Sequence, residues 1–315
     1  MEVRENLTIT MTPTFHHALV AIDQSQASDI IIDCLPHFHQ LGTEKITLYT
    51  SVSVSYPGGL DQSSRKQYLG KLDEYKRKLE QQLSDAGLPI RVETKAGFDI
   101  NAYPPHEIIK AAHEQQAGYI IIANRGYSKY RELLLGSTAT ELLQRCDLPV
   151  YLINMKMSDQ HLYCVQACRD TLNHIFYPTD FSDNADRAFQ TLEYLMTQKT
   201  GRATRHITLY HVQATGRIGM DEPDKLAEFN RIDRERLEAL KERLQKVTGA
   251  EIHIDIGVGS AAQEITDKAT HSDASMIIMG GQGRGYIRDL FLGGVSHQVV
   301  RNAEIPVLII PALRE

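Results

Sequence analysis

The feature that most constrains this chain is that it contains one unit twice. Asp23 and Asp180, Gly126 and Gly283, and Gly136 and Gly293 each stand 157 positions apart. Three landmarks in one register mark a duplication, so whatever fold the first half takes the second must take as well. The 315 residues supply enough chain for two ordinary domains.

Inside each unit, short apolar runs alternate with longer segments of helical period, the pattern of an α/β fold with buried parallel strands. The strand candidates of the first half are His17 to Asp23, Lys45 to Thr50, Ile90 to Thr94, Tyr119 to Asn124 and Val150 to Asn154. They recur in order as the runs beginning at His174, His206, Ile252, Met276 and Val307. Charged helices are expected over Ser63 to Ala86 and Lys225 to Val247, with solvated outer faces. The stretch from Met155 to Leu172 has no counterpart within a unit and reads as a linker carrying a short helix. The division is therefore residues 1–154, a linker over 155–172, and 173–315.

Five alternating strands give an open parallel sheet with helices on both faces, the right-handed crossover rule limits its topology, and the order taken as the expectation is 3-2-1-4-5. The expected fold is two such five-stranded sheets in tandem. Strands 1 and 4 then flank the point where the winding reverses, and ligands of such sheets bind there, beyond the carboxyl ends of the strands. Asp23 and Asp180 end strand 1 in their units, while Asn124 to Gly126 and Gly280 to Gly283 leave strand 4. Gly293 and Gly294 precede a helical run, and a helix start offers unpaired N–H groups to phosphate. The same glycines also suit plain turns, and the aspartates, like Ser182 and Asp183, suit helix caps.

Composition narrows the partners. A net charge of −6 with a pI near 6.1 argues against a nucleic-acid or membrane-binding surface. The opening residues carry charges at Glu2, Arg4 and Glu5 without a signal-length apolar run, and no segment reaches the roughly 18–20 apolar residues of a membrane span. Cytoplasmic residence is the expectation. The four cysteines, Cys34, Cys146, Cys164 and Cys168, are too few and too irregular for a secreted disulfide framework. His161, Cys164, Cys168 and His174 include zinc-ligand types, but the cysteines suit helix packing equally, and no metal site is expected. No G-x4-G-K-[S/T] string and no G-x-S-x-G elbow occurs. His211, whose first-unit equivalent is Thr50, reads as a structural strand-end histidine.

The second unit carries YPTDFSDNA from Tyr177, LYHV from Leu209, and Gly280-x2-Gly283-x9-Gly293. These stretches resemble the universal stress protein family, and the likeness runs through both units, so it implies a tandem member with a nucleotide α-hydrolase-like fold. The resemblance implies ATP, AMP or ADP as ligand, with or without Mg. It places the adenosine-contacting carboxylate at Asp180, the adenine-edge main chain at Val212, and the phosphate loop at Gly280, Gly283, Arg284, Gly293, Gly294 and Ser296. In the first unit the matching positions are Asp23, Ser51, Gly126, Gly136 and Ser137. Each unit departs from the motif once, at Ala123 where the family has glycine and at Gly294 where it has Ser or Thr.

The resemblance further implies a nucleotide-responsive stress regulator, at most a slow ATP hydrolase, with protein partners and a homo-oligomeric form not specified by the sequence. The alternative is a nucleotide-free interaction scaffold with degenerate loops. An adenylating ligase would need a further substrate domain beyond the two repeats. The last strand of each unit is expected to pair with the other, forming a pseudo-dimer within the chain. The second unit is expected to be the better site, on the ground that Ala123 adds a Cβ where a glycine of positive φ would otherwise sit.

Overall fold

The computed structural model describes residues 14–54, 61–124, 135–158, 161–164, 170–198, 203–214, 223–282 and 292–312. The first unit runs β1 (His17–Ala21), α1 (Gln26–Cys34), a short 3-10 helix (Leu35–Leu41), β2 (Lys45–Val54), α2 (Gln62–Asp85), β3 (Arg91–Ile100), α3 (Pro104–Glu114), β4 (Tyr119–Ala123), α4 (Ser137–Arg145) and β5 (Val150–Ile153). The second runs β8 (His174–Pro178), α5 (Asp183–Thr197), β9 (His206–Ala214), α6 (Pro223–Gln245), β10 (Glu251–Gly259), α7 (Ala261–His271), β11 (Met276–Gly280), α8 (Gly294–Asn302) and β12 (Val307–Ile310). Between them lie β6 (Met155–Ser158) and β7 (His161–Cys164).

The expectation of two separate sheets is corrected. Each unit has its strands in the order 3-2-1-4-5, but the units share one ten-stranded sheet, β10-β9-β8-β11-β12-β5-β4-β1-β2-β3. The junction is antiparallel, with Val307 opposite Leu152, Leu308 opposite Tyr151 and Ile309 opposite Val150. The pairing expected of the two last strands is thus present. It satisfies backbone groups that two all-apolar strands would otherwise expose as open edges.

Alternation along these strands makes the cores continuous across the junction. Tyr151, Ile153, Leu308 and Ile310 join the core under α1, α2, α5 and α6, whereas Val150, Leu152, Val307 and Ile309 join the core under α3, α4, α7 and α8. All eight are buried, and each large aliphatic side chain so buried contributes about 1.5–3 kcal/mol. Phe38 closes the first of these layers by an edge contact with Tyr151 at 4.8 Å.

Two readings of local structure change. β2 and β3 continue to Val54 and Ile100, beyond the apolar runs that announce them, because their polar ends pair with each other from Thr50 opposite Ala96 to Val54 opposite Ile100. The described first part of the linker is a β-hairpin: Met155 pairs with Cys164 and Ser158 with His161. Its entry is fixed by Asn124, whose side-chain oxygen accepts from Met155 N at 2.9 Å while its amide donates to Met155 O at 3.3 Å. A side chain that reads both main-chain groups of one residue holds it extended, which a helical start would not satisfy. Cys164 therefore sits on a strand, and Cys168 lies outside the described residues.

Candidate nucleotide crevices at the sheet switch points

In both units β1 or its equivalent β8 lies between strand 2 and strand 4, so the expected crevice exists twice. The turn after each first strand is the same. Asp23 accepts from Ser25 N and from Ser28 Oγ, both at 3.1 Å, and Asp180 accepts from Ser182 N at 3.1 Å. Neither aspartate is the cap itself: Ser25 caps α1 and Ser182 caps α5 through their hydroxyls. The residues following the aspartates, Gln24 and Phe181, take the left-handed conformation at φ 61° and 57°. That sharp turn keeps the carboxylate at the mouth of the crevice.

On the opposite wall the residue after strand 4 bonds to a helix start. Gly136 N donates to Asn124 O at 2.8 Å, and Gly293 N donates to Gly281 O at 2.6 Å. Gly136 and Gly293 cap α4 and α8 with no side-chain hydrogen bond. The cap N–H groups are consumed by the loop, so anion-binding capacity resides in the next three, at Ser137 to Ala139 and Gly294 to Ser296, which have no carbonyl one turn back. Gly126, Gly283 and Arg284 lie outside the described residues.

The two crevices then diverge. In the first unit a cavity of about 310 Å³ is lined by Asp23, Ser51, Asn124, Gly136 and Ser137 at its polar end, and by Ile22, Ile31, Ile108 and Ala123 deeper in. Its volume is within the roughly 300–1,000 Å³ range of small-molecule sites. Tyr49 stands in its wall, its hydroxyl fitted over Gly97, where an added Cβ would lie 2.5 Å from the phenol oxygen. Burial pushes that phenol up to about 12, so it is a neutral donor across the physiological range. Larger, more polar grooves of about 400 and 570 Å³ lie elsewhere, beside Thr266 and Gln298 and beside Met196 and Gln245, and contain none of the expected site residues.

In the second unit the crevice is bridged. Asn184, in the first turn of α5, donates from its side chain to Gln282 O at 2.9 Å, tying the helix to the loop after β11. The position equivalent to Asn184 is Ala27. Gly280 is not in the left-handed region, which removes the reason given for ranking the second site higher. Its lack of a side chain answers to packing instead, since a Cβ would stand 2.8 Å from Asn184 O. Ala123, the equivalent of Gly280, is buried and lines the first-unit cavity together with Ala27. Ser296 is buried and spends its hydroxyl on Gly280 O at 2.9 Å, locking α8 onto β11. Gly294 is exposed with open space around it, and Val212 lies on β9 opposite Gly257.

Below the mouth of the second crevice, sequence reading missed a buried polar cluster. Asp233 on α6 accepts from Gln213 Nε2 and, at 3.2 Å, from Arg236, and its other near neighbour is His211 Nε2 at 3.5 Å. His211 reaches Thr179 O through Nδ1 at 2.7 Å and packs on Phe181 with ring centres 4.9 Å apart. The histidine thus ties β9 to the turn after β8 and to α6, a structural role as expected, but from within the strand and not from its end. A comparison of the two units position by position is the signal that finds the cluster, because its first-unit equivalents are Thr50, Val52 and Leu72.

Comparison with known proteins agrees with the fold and the repeat. The model of the family described as the universal stress protein family matches residues 14–154 and again residues 171–311. The chain is 28% identical over 156 residues to universal stress protein MJ0577 of Methanocaldococcus jannaschii, covering 43% of this chain and 93% of that protein. It is 25% identical over 199 residues to a universal stress protein of Mycolicibacterium smegmatis, covering 62% of each. The crystal structure of a universal stress protein from Archaeoglobus fulgidus superposes with a TM-score of 0.63 at 25% identity, over 93% of this chain and 97% of that one. No helix among the described residues is long and apolar enough to cross a membrane. With both halves matched and the doubly repeated fold in place, this chain belongs to the universal stress protein family, as a tandem two-domain member.

Proposed function

We propose that the chain is a cytoplasmic stress regulator that binds an adenine nucleotide in its first unit and changes its protein contacts with occupancy. The observation that carries this is the first-unit cavity of about 310 Å³, which brings Asp23, Ser51, Gly136 and Ser137 to one mouth over an apolar floor. A purine suits the floor between Ile22, Ile31 and Ile108, the Asp23 carboxylate suits a ribose hydroxyl, and the uncapped start of α4 suits phosphate. Asp23 is already engaged with Ser25 and Ser28, so magnesium, where present, is carried by the phosphates of the nucleotide. ATP, ADP and AMP share the adenosine contacts, and any hydrolysis is slow and incidental.

A second reading, a nucleotide-free scaffold, is favoured for the second unit by the Asn184 bridge to Gln282. Calorimetry with ATP and AMP on the intact chain, Asp23→Ala and Asp180→Ala separates the two. One equivalent of ligand, weakened at least tenfold by Asp23→Ala and little by Asp180→Ala, is expected. Loss of binding in Asp180→Ala alone would move the site to the second unit, and no binding by the intact chain would favour the scaffold.

A further inference from the structure

We propose that His206, Glu251 and His253 form a binding site for a divalent transition metal of the zinc class on the outer edge of the second unit. The site is independent of the nucleotide reading and lies at the opposite, amino-terminal end of the strands.

The sheet itself assembles the ligands. His206 on β9 and Glu251 on β10 are register partners, and His253 follows Glu251 by two residues, so all three side chains leave one face. One donor atom from each lies within 4.8 Å of the other two. The Glu251 oxygens stand 3.5 Å from His206 Nδ1 and 3.5 Å from His253 Nε2. That is long for a hydrogen bond, yet close to the roughly 3.4 Å that separates two donors around a tetrahedral ion with bonds of about 2.1 Å. The two imidazoles are stacked, 5.8 Å between centres at 25°, so a small rotation brings both nitrogens onto one ion.

Neighbouring groups leave these three available. His174, on the next strand, is committed through Nε2 to Thr208 Oγ1 at 2.8 Å. Lys268, the nearest cation on the covering helix, is paired with Asp255 at 2.5 Å. The first unit has a different solution at the same ladder positions: Lys45, Arg91 and Glu93, with Lys45 Nζ 2.7 Å from Glu93. There a cation and a carboxylate neutralise each other. In the second unit two imidazoles and one carboxylate face each other, a donor set that suits Zn²⁺, Cu²⁺ or Ni²⁺ and not Mg²⁺ or Ca²⁺. The fourth position is left to water. Since β10 is an outer strand of the sheet, the ion fastens that edge to β9.

The test is titration of the full chain with Co²⁺ followed by displacement with Zn²⁺. The expected result is one equivalent of Co²⁺ with tetrahedral visible absorption and no thiolate charge-transfer band. His206→Gln and His253→Gln should each weaken Zn²⁺ at least tenfold, while Cys164→Ser and Glu93→Gln leave it unchanged. The replaced side chains are 42% and 49% exposed, so both variants should keep the parent circular dichroism. Zn²⁺ should also raise the melting temperature of the parent and not of the double histidine variant. Sub-stoichiometric binding, binding that survives the double histidine substitution, or a thiolate band lost with Cys164→Ser would each overturn the proposal.

Discussion

In the first unit Ile22 N donates to Tyr49 O at 2.9 Å, and Asn124 N donates to Ile153 O at 3.0 Å. In the second, Thr179 N donates to Tyr210 O and Gly281 N donates to Ile310 O, both at 2.8 Å. The main chains agree bond for bond, yet the side chains hung on them do not. Where one unit packs Thr50, Val52 and Leu72, the other buries His211, Gln213 and Asp233. Where one has Ala27 and an open crevice, the other has Asn184 and a bridged one. The difference teaches that the duplicated backbone is held by main-chain bonding and apolar layers, which leaves strand ends free to diverge without loss of fold.

The polar cluster should break the symmetry most. Asp233→Ala leaves the buried Gln213 amide and His211 without their carboxylate, while Arg236, 52% exposed, stays solvated, and each buried polar group so orphaned costs about 1–3 kcal/mol. The triple change His211→Thr, Gln213→Val and Asp233→Leu imports the first unit's packing and should recover stability to within about 1 kcal/mol of the parent. Chemical denaturation of both variants checks this, and a triple variant as unstable as the single one would mean that the units are not interchangeable at this level.

The crevices come next. Ala27→Leu, which fills the first cavity, should weaken adenine nucleotide at least 100-fold, about 2.7 kcal/mol. Asn184→Ala, its reciprocal, removes the bridge to Gln282 at a cost of about 1 kcal/mol and should open the second crevice to a weak second equivalent. Calorimetry on the two variants reads both effects. Binding indifferent to Ala27→Leu would place the ligand elsewhere.

Much of this was legible in the sequence. The repeat and the alternation of strand with helix follow from apolar runs and spacing, while the pairing of Val150–Ile153 with Val307–Ile310 and the placing of Gly136 beside Asp23 come from the family resemblance. What was not legible depended on distances between segments. Gly280 looks like a conformational glycine until Asn184 O is found beside it. Met155 to Cys164 has no strand-like context until Asn124 is seen to hold Met155. Position-by-position comparison of the repeats reveals Asn184 against Ala27 and Asp233 against Leu72, but what each substitution does is set by its neighbours across the sheet.

The smallest expected effect concerns the edge ladders. Glu93 is held below the usual carboxylate range, first by its hydrogen bond to Lys45 and against the opposing effect of burial. A carboxylate whose folded value is depressed stabilises the fold above its unfolded value, near 4.5, and the contribution disappears as the pH falls through the lower, folded value. Both partners are substantially solvated, 28% and 41% exposed, so screening limits the pair to about 0.2–1 kcal/mol. Glu93→Gln should therefore lower stability slightly at pH 7, less in high salt, and not at all once Glu93 is protonated in both states. His253→Gln, at the equivalent position in the second unit, removes only a 3.5 Å contact to Glu251, longer than a hydrogen bond, and without added metal it should cost less stability at pH 7 than Glu93→Gln. Denaturation curves at pH 7 and at acidic pH, with and without salt, test the contrast. Equal losses from both substitutions in metal-free buffer would show that the two ladders are held by the same interaction after all.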